Sequence, residues 1–114
     1  ETAMKTVGCL VEMQKRANGN ALIGRELYPL LTEAGWNDVM VSPRMVYVDD
    51  SKPHLVEGFT RNTFIAMVEG VRDAAISSGL MNEQDWQKGI SDMKKSAEGG
   101  GTFCYTFFKA TGYK

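Results

Sequence analysis

The stretch that most restricts the fold is the last one: Gly99-Gly100-Gly101, then Thr102-Phe103-Cys104-Tyr105-Thr106-Phe107-Phe108-Lys109-Ala110. Three glycines end any helix before them, because glycine loses more backbone freedom on ordering than any other residue. The aromatic and β-branched run behind them has the composition of a strand. Alternation sends Phe103, Tyr105 and Phe107 to one face and Cys104, Thr106, Phe108 and Ala110 to the other. A strand apolar on both faces belongs inside a sheet, covered above and below. Residues 102–110 are therefore expected to form a central strand, with neighbours drawn from upstream.

Only one upstream segment reads as a partner. Residues 39–48 are rich in valine, with Met45 and Tyr47 alternating against Val46 and Val48. Pro43 interrupts them; proline cannot donate to a ladder, so this strand is expected at a sheet edge or with a bulge at Pro43. Everything else has helical spacing. Met4, Val7, Leu10, Val11 and Gln14 mark a helix over 2–17, which Asn18-Gly19-Asn20 ends, with Gly19 in the left-handed conformation and Asn18 or Asn20 capping the next helix. Ile23, Leu27, Leu30 and Leu31 mark that second helix over 21–34, kinked at Pro29 and ended by Gly35. Residues 49–53 read as a polar loop, and Phe64, Val68, Val71 and Ala75 as the stripe of a helix over 57–78, ended by Gly79. Asn82 with Asp85 forms a capping box for a fourth helix, whose Trp86, Ile90, Met93 and Ala97 share one face. The expected fold class is α+β, with four helices and one antiparallel strand pair, 39–48 with 102–110. Two strands alone are too few for an independently stable sheet.

The balance of residues limits function. With 43% hydrophobic and 24% charged residues the chain is a folded domain, not a disordered one. A net charge of −1 leaves no electrostatic footprint for nucleic acid or an acidic membrane, and no apolar run approaches a bilayer span. No charged-then-apolar leader opens the chain, so a cytoplasmic location is expected. Cys9 and Cys104 have no metal or redox spacing and read as two buried thiols of a reducing compartment. The chain begins with Glu1 instead of Met, which reads as a piece of something longer.

The order of these pieces resembles a family. Gly24-Arg25, the leucine-rich helix through Leu31, Glu33-Ala34-Gly35-Trp36 and the strand Val39-Met40-Val41-Ser42-Pro43-Arg44 resemble the helix, turn and sixth strand of class I S-adenosylmethionine-dependent methyltransferases. Gly100-Gly101-Thr102-Phe103 through Ala110-Thr111-Gly112-Tyr113-Lys114 resembles their closing strand. Residues 54–98 are similar to the helical insert of the ubiquinone- and menaquinone-biosynthesis type, which act on small molecules. The resemblance implies that residues 1–114 are a single carboxyl-terminal region of a Rossmann-like sheet: two helices over 1–38, a strand over 39–48, the insert, and a terminal strand over 102–114. It implies S-adenosylmethionine as cofactor of the parent enzyme and a small-molecule methyl acceptor as its partner.

It also exposes a gap. The cofactor of that family sits on a glycine-rich turn running from strand to helix, so that helix amides face it. The glycine run here goes from helix to strand and reads as a connector. No cofactor is expected on this chain, which on this reading is inactive alone. The alternative is a free-standing dimeric α+β binding or interaction module. Either way one edge of the terminal strand is left unpaired, and self-association through it is expected.

Few residues suit chemistry. Arg25 can clamp a substrate carboxylate through its planar fork, and Tyr28 and Arg61 are weaker substrate-side candidates. His54, the only histidine, has no acid or nucleophile spaced near it and reads as a solvated loop residue. Asp49 and Asp50 lack further ligands at metal-loop spacing and read as turn acids. Met45, Met67 and Met93 suit either an apolar pocket or core packing. No residue is assigned a catalytic or metal-binding role.

Overall fold

The computed structural model describes residues 1–114 and is an α+β arrangement of helices and one two-stranded antiparallel sheet. The order is α1 (Thr2–Arg16), a 3-10 turn (Ile23–Glu26), α2 (Leu27–Glu33), β1 (Asn37–Val48), α3 (Pro53–Leu55), a π-helix (Val56–Ile65), α4 (Ala66–Glu69), α5 (Arg72–Ser77), α6 (Glu83–Lys95) and β2 (Phe103–Tyr113).

The core lies among the helices. Cys9 and Leu10 of α1, Ile65, Val68 of α4, Ala75 of α5, and Trp86, Ile90 and Met93 of α6 form one buried cluster. Ala97 is buried as well, so all four residues of the expected α6 stripe are inside. The Asn82 cap is also in place: its Oδ1 accepts the Asp85 N–H at 2.8 Å, and its Nδ2 donates to the Asp85 carboxylate at 2.9 Å. α1 and α6 cross closely because their contact residues are small. Thr6 is fully buried, its hydroxyl satisfied by the Thr2 carbonyl at 3.0 Å, and it packs on Gly89. The buried face of α1 is thus Thr6, Cys9 and Leu10; Met4, expected in the stripe, is 72% exposed.

Other boundaries differ from the sequence reading for local reasons. α1 ends with Asn18, not Gly19, in the left-handed conformation, which asparagine tolerates. Asn20 does not cap the next helical segment, whose N-cap is Leu22 without a side-chain bond; its Oδ1 accepts the Leu22 N–H at 2.9 Å and folds the turn ahead of it. A 3-10 turn follows over Ile23–Glu26, and α2 starts only at Leu27. Pro29 falls in its first turn, where no N–H partner is lost and no kink is needed. The helix expected over 57–78 starts at Pro53, winds as a π-helix, and breaks at Gly70 before α5. Bonding from residue i to i+5 brings residues five apart onto one face. Phe59 and Phe64 are such a pair, and both reach β2. Gly79, at φ +74°, closes α5, as its place in the sequence predicts.

β1 and β2 pair from Asn37↔Tyr113 to Val48↔Phe103. The ladder is regular at Pro43↔Phe108; the irregularity lies between Asn37 and Met40, where Asp38 is left-handed at φ +51°. Pro43 is tolerated because β1 is an edge strand. β2 has β1 on one flank and no strand on the other. Its cover is partial: the π-helix lies over Phe103 and Tyr105, and the 3-10 turn lies on Phe108 at Gly24, where an added Cβ would stand 2.4 Å from the ring. Cys104, expected to be buried, is exposed, because the turn covers its face farther along the strand.

Candidate functional site

The helical unit is inserted between β1 and β2, and so stands at the end where β1 finishes and β2 begins. There Phe59 and Phe64 descend onto β2. Ring centroids are 5.9 Å for Phe59–Phe103, 5.8 Å for Phe59–Tyr105 and 4.9 Å for Phe64–Phe103, in tilted or edge-on geometry. Tyr105 and Phe107 stack along the strand at 4.7 Å. The result is an aromatic roof at the crest of the sheet. Beside it, Thr60 is buried with no hydrogen-bond partner for its Oγ1, an uncommon state for a buried hydroxyl.

The loop below this roof is tied by short polar contacts. Asp50 Oδ2 accepts the Gly100 N–H at 2.7 Å, joining the exit of β1 to the entry of β2. Asp49 accepts the Ser51 N–H at 3.0 Å and the Ser51 hydroxyl at 2.5 Å. Those two bonds hold its carboxyl below the usual carboxylate range. Lys52 Nζ donates to the Tyr47 carbonyl at 2.9 Å. Both aspartates therefore close the turn, and the polar loop ends at Lys52: Pro53 opens a helical turn, with His54 exposed in it.

The candidate substrate residues stand in three different settings. Arg25 lines an apolar groove of about 550 Å³ between the 3-10 turn and β2, with Leu22, Ile23 and Leu27 on one side and Phe107 and Phe108 on the other. Tyr28 lines a depression with Ser42, Arg44 and Lys109. Arg61 is engaged structurally: its guanidinium donates to the Ala97 carbonyl at 2.8 Å, beyond the end of α6, and lies 3.5 Å from Glu57. Met93 is core, whereas Met45 and Met67 are exposed. The groove was not anticipated from the sequence. Its signal is Gly24 among apolar neighbours, a glycine that lets the turn touch Phe108.

No three His, Cys, Asp or Glu side chains gather to hold a metal ion, and no helix is long and apolar enough to cross a membrane. The glycine run does not fit a nucleoside cofactor. The Gly100 N–H is taken by Asp50, the Gly101 N–H donates to the Glu98 carbonyl at 2.8 Å, and a strand, not a helix, comes next. What the arrangement offers chemically is an aromatic cluster packed on the sheet, an apolar groove beside it and an open strand edge. No protein-family model matches the sequence, and no curated protein matches it.

Proposed function

We propose that residues 1–114 form the carboxyl-terminal, substrate-side part of an S-adenosylmethionine-dependent methyltransferase acting on a small molecule, β1 and β2 being the last two strands of a Rossmann-like sheet. The observation that carries this reading is the placement of the helical unit on the carboxyl end of β1, at Val48. In open α/β sheets, ligands sit outside the carboxyl ends of the strands. A helical insert with an aromatic underside, Phe59 and Phe64 above Phe103 and Tyr105, stands where such a ligand would need a cover. Apolar walls exclude water and hold an acceptor in one orientation. The chain's contribution is enclosure and positioning. Cofactor binding is assigned to a part of the sheet outside these residues.

Two measurements test it. Isothermal titration of S-adenosylmethionine into the 114-residue chain is expected to show no binding; stoichiometric binding would overturn the assignment. The coding sequence upstream of Glu1 is expected to carry, in frame, a Gly-x-Gly-x-Gly turn behind a valine-rich strand. A start codon next to Met4 would refute it.

A further inference from the structure

The two outer edges of the sheet are not alike. The β1 edge is guarded: Pro43 has no N–H to offer, Arg44 is exposed beside it, and left-handed Asp38 breaks the register near its start. The β2 edge has neither the proline nor the left-handed residue, and its one guard is exposed Lys109. From Phe103 to Tyr113 it contains no proline and one charged residue, Lys109, and its pairing to β1 runs without irregularity from Phe103 to Thr111. Long, regular, apolar edges of this kind are templates for another strand.

The groove of about 550 Å³ lies along this edge. A strand entering it meets Leu22, Ile23 and Leu27 on one side and Phe107 on the other, so both of its faces must be apolar. Within this chain β2 comes nearest to that requirement, with Phe103, Tyr105 and Phe107 on one face, Cys104 and Phe108 on the other, and Lys109 as its one charge; β1 carries Arg44 and Ser42 on one face and Pro43 on the other.

The molecule also has surface to spare. Its solvent-accessible area is 7492 Å², whereas a compact monomer of 12.6 kDa exposes about 6,200 Å². The excess of about 1,300 Å² exceeds the roughly 800 Å² that each partner contributes to a standard stable interface. Its radius of gyration, 16.6 Å, compares with about 13 Å for a compact domain of this length.

The geometry points to a dimer in which β2 of one copy lies antiparallel against β2 of a second copy, giving a four-stranded sheet of order β1-β2-β2-β1. The two-fold contact is self-complementary, and the strands left outside are the guarded β1 edges, so assembly stops at two copies. The inference does not rest on the methyltransferase reading. Under that reading a strand of a longer polypeptide takes the same edge, and the two occupants are mutually exclusive.

Sedimentation equilibrium of the 114-residue chain tests the dimer from about 1 to about 200 µM, since interfaces of this size reach micromolar affinity or better. The expected mass is twice 12.6 kDa. Phe107→Lys at the strand edge and Ile23→Lys on the groove wall, which does not touch the ladder, are each expected to yield monomers. Helical circular dichroism and a cooperative thermal transition report that both variants stay folded. A monomer throughout the range, a folded Ile23→Lys variant that remains dimeric, or growth into longer polymers would each overturn the proposal. None of these results changes the S-adenosylmethionine titration, so the two readings fail independently.

Discussion

Replacing Gly89 with alanine tests the packing that holds the helical unit together, and the sign of the effect is diagnostic. In an unobstructed helix the change stabilises, because alanine is favoured over glycine by up to about 1 kcal/mol. At Gly89 the added Cβ would stand 1.8 Å from Thr6 Oγ1, 3.0 Å from Thr6 Cβ and 3.2 Å from the Thr2 carbonyl. Rotating the Thr6 hydroxyl away forfeits its bond to Thr2, worth about 1 kcal/mol, and leaves the other two approaches tight. α1 must therefore move off α6, an overpacking cost of about 1–3 kcal/mol that outweighs the propensity gain. The net expectation is a loss of about 1–2 kcal/mol, or about 4–8 °C in melting temperature at roughly 4 °C per kcal/mol for this length. Gly8, exposed inside α1 with nothing within 4 Å of an added Cβ, supplies the opposite case. Gly8→Ala is expected to raise the melting temperature by about 2–4 °C. Thermal unfolding followed by far-UV circular dichroism measures both. A Gly89→Ala protein as stable as Gly8→Ala would show that α1 and α6 do not meet as described.

The remaining predictions concern polar groups. Arg61→Ala removes the donor to the Ala97 carbonyl and is expected to destabilise by about 1–2 kcal/mol in denaturant titration; unchanged stability would free Arg61 for a ligand. The Glu83 carboxyl is held below the usual range by bonds from Arg72 and Gln87, and Asp92 by bonds from Lys88 and Lys95. Depressed carboxylates contribute stability that is full above their unfolded values, about 4, and lost as pH falls through the folded ones. Melting temperature is therefore expected to fall on acidification below that point, by less in high salt because the Glu83 side chain is exposed and the lysine partners of half-buried Asp92 are exposed; a curve rising toward pH 3 would contradict the pairing. Cys104 is exposed, while burial pushes the Cys9 thiol up. A thiol reagent is expected to label one cysteine in the native chain and two after unfolding, and rapid native labelling of both would place Cys9 outside the core.

Helices and strands were legible where the signal is local. The α6 stripe, the Asn82 cap and the stop at Gly79 stem from side-chain periodicity, hydrogen-bond chemistry within four residues and backbone freedom, all of which the chain carries at each position; the two strands could be paired because the sequence offers only two. The candidate site was legible only in part. Arg25, Tyr28 and Arg61 were singled out by residue type, but their settings depend on contacts distant in sequence, such as Arg61 with Ala97.

The amino-acid sequence by itself determined that this chain ends in a strand apolar on both faces and has one upstream partner for it, because alternation and composition are properties of the strand alone. Only the tertiary structure decided that Phe59 and Phe64 meet Phe103 and Tyr105 of β2, that Thr6 and not Met4 is buried, and that a groove runs beside the free edge of β2. Each depends on how closely two separate segments approach, a distance set by packing that no local pattern encodes.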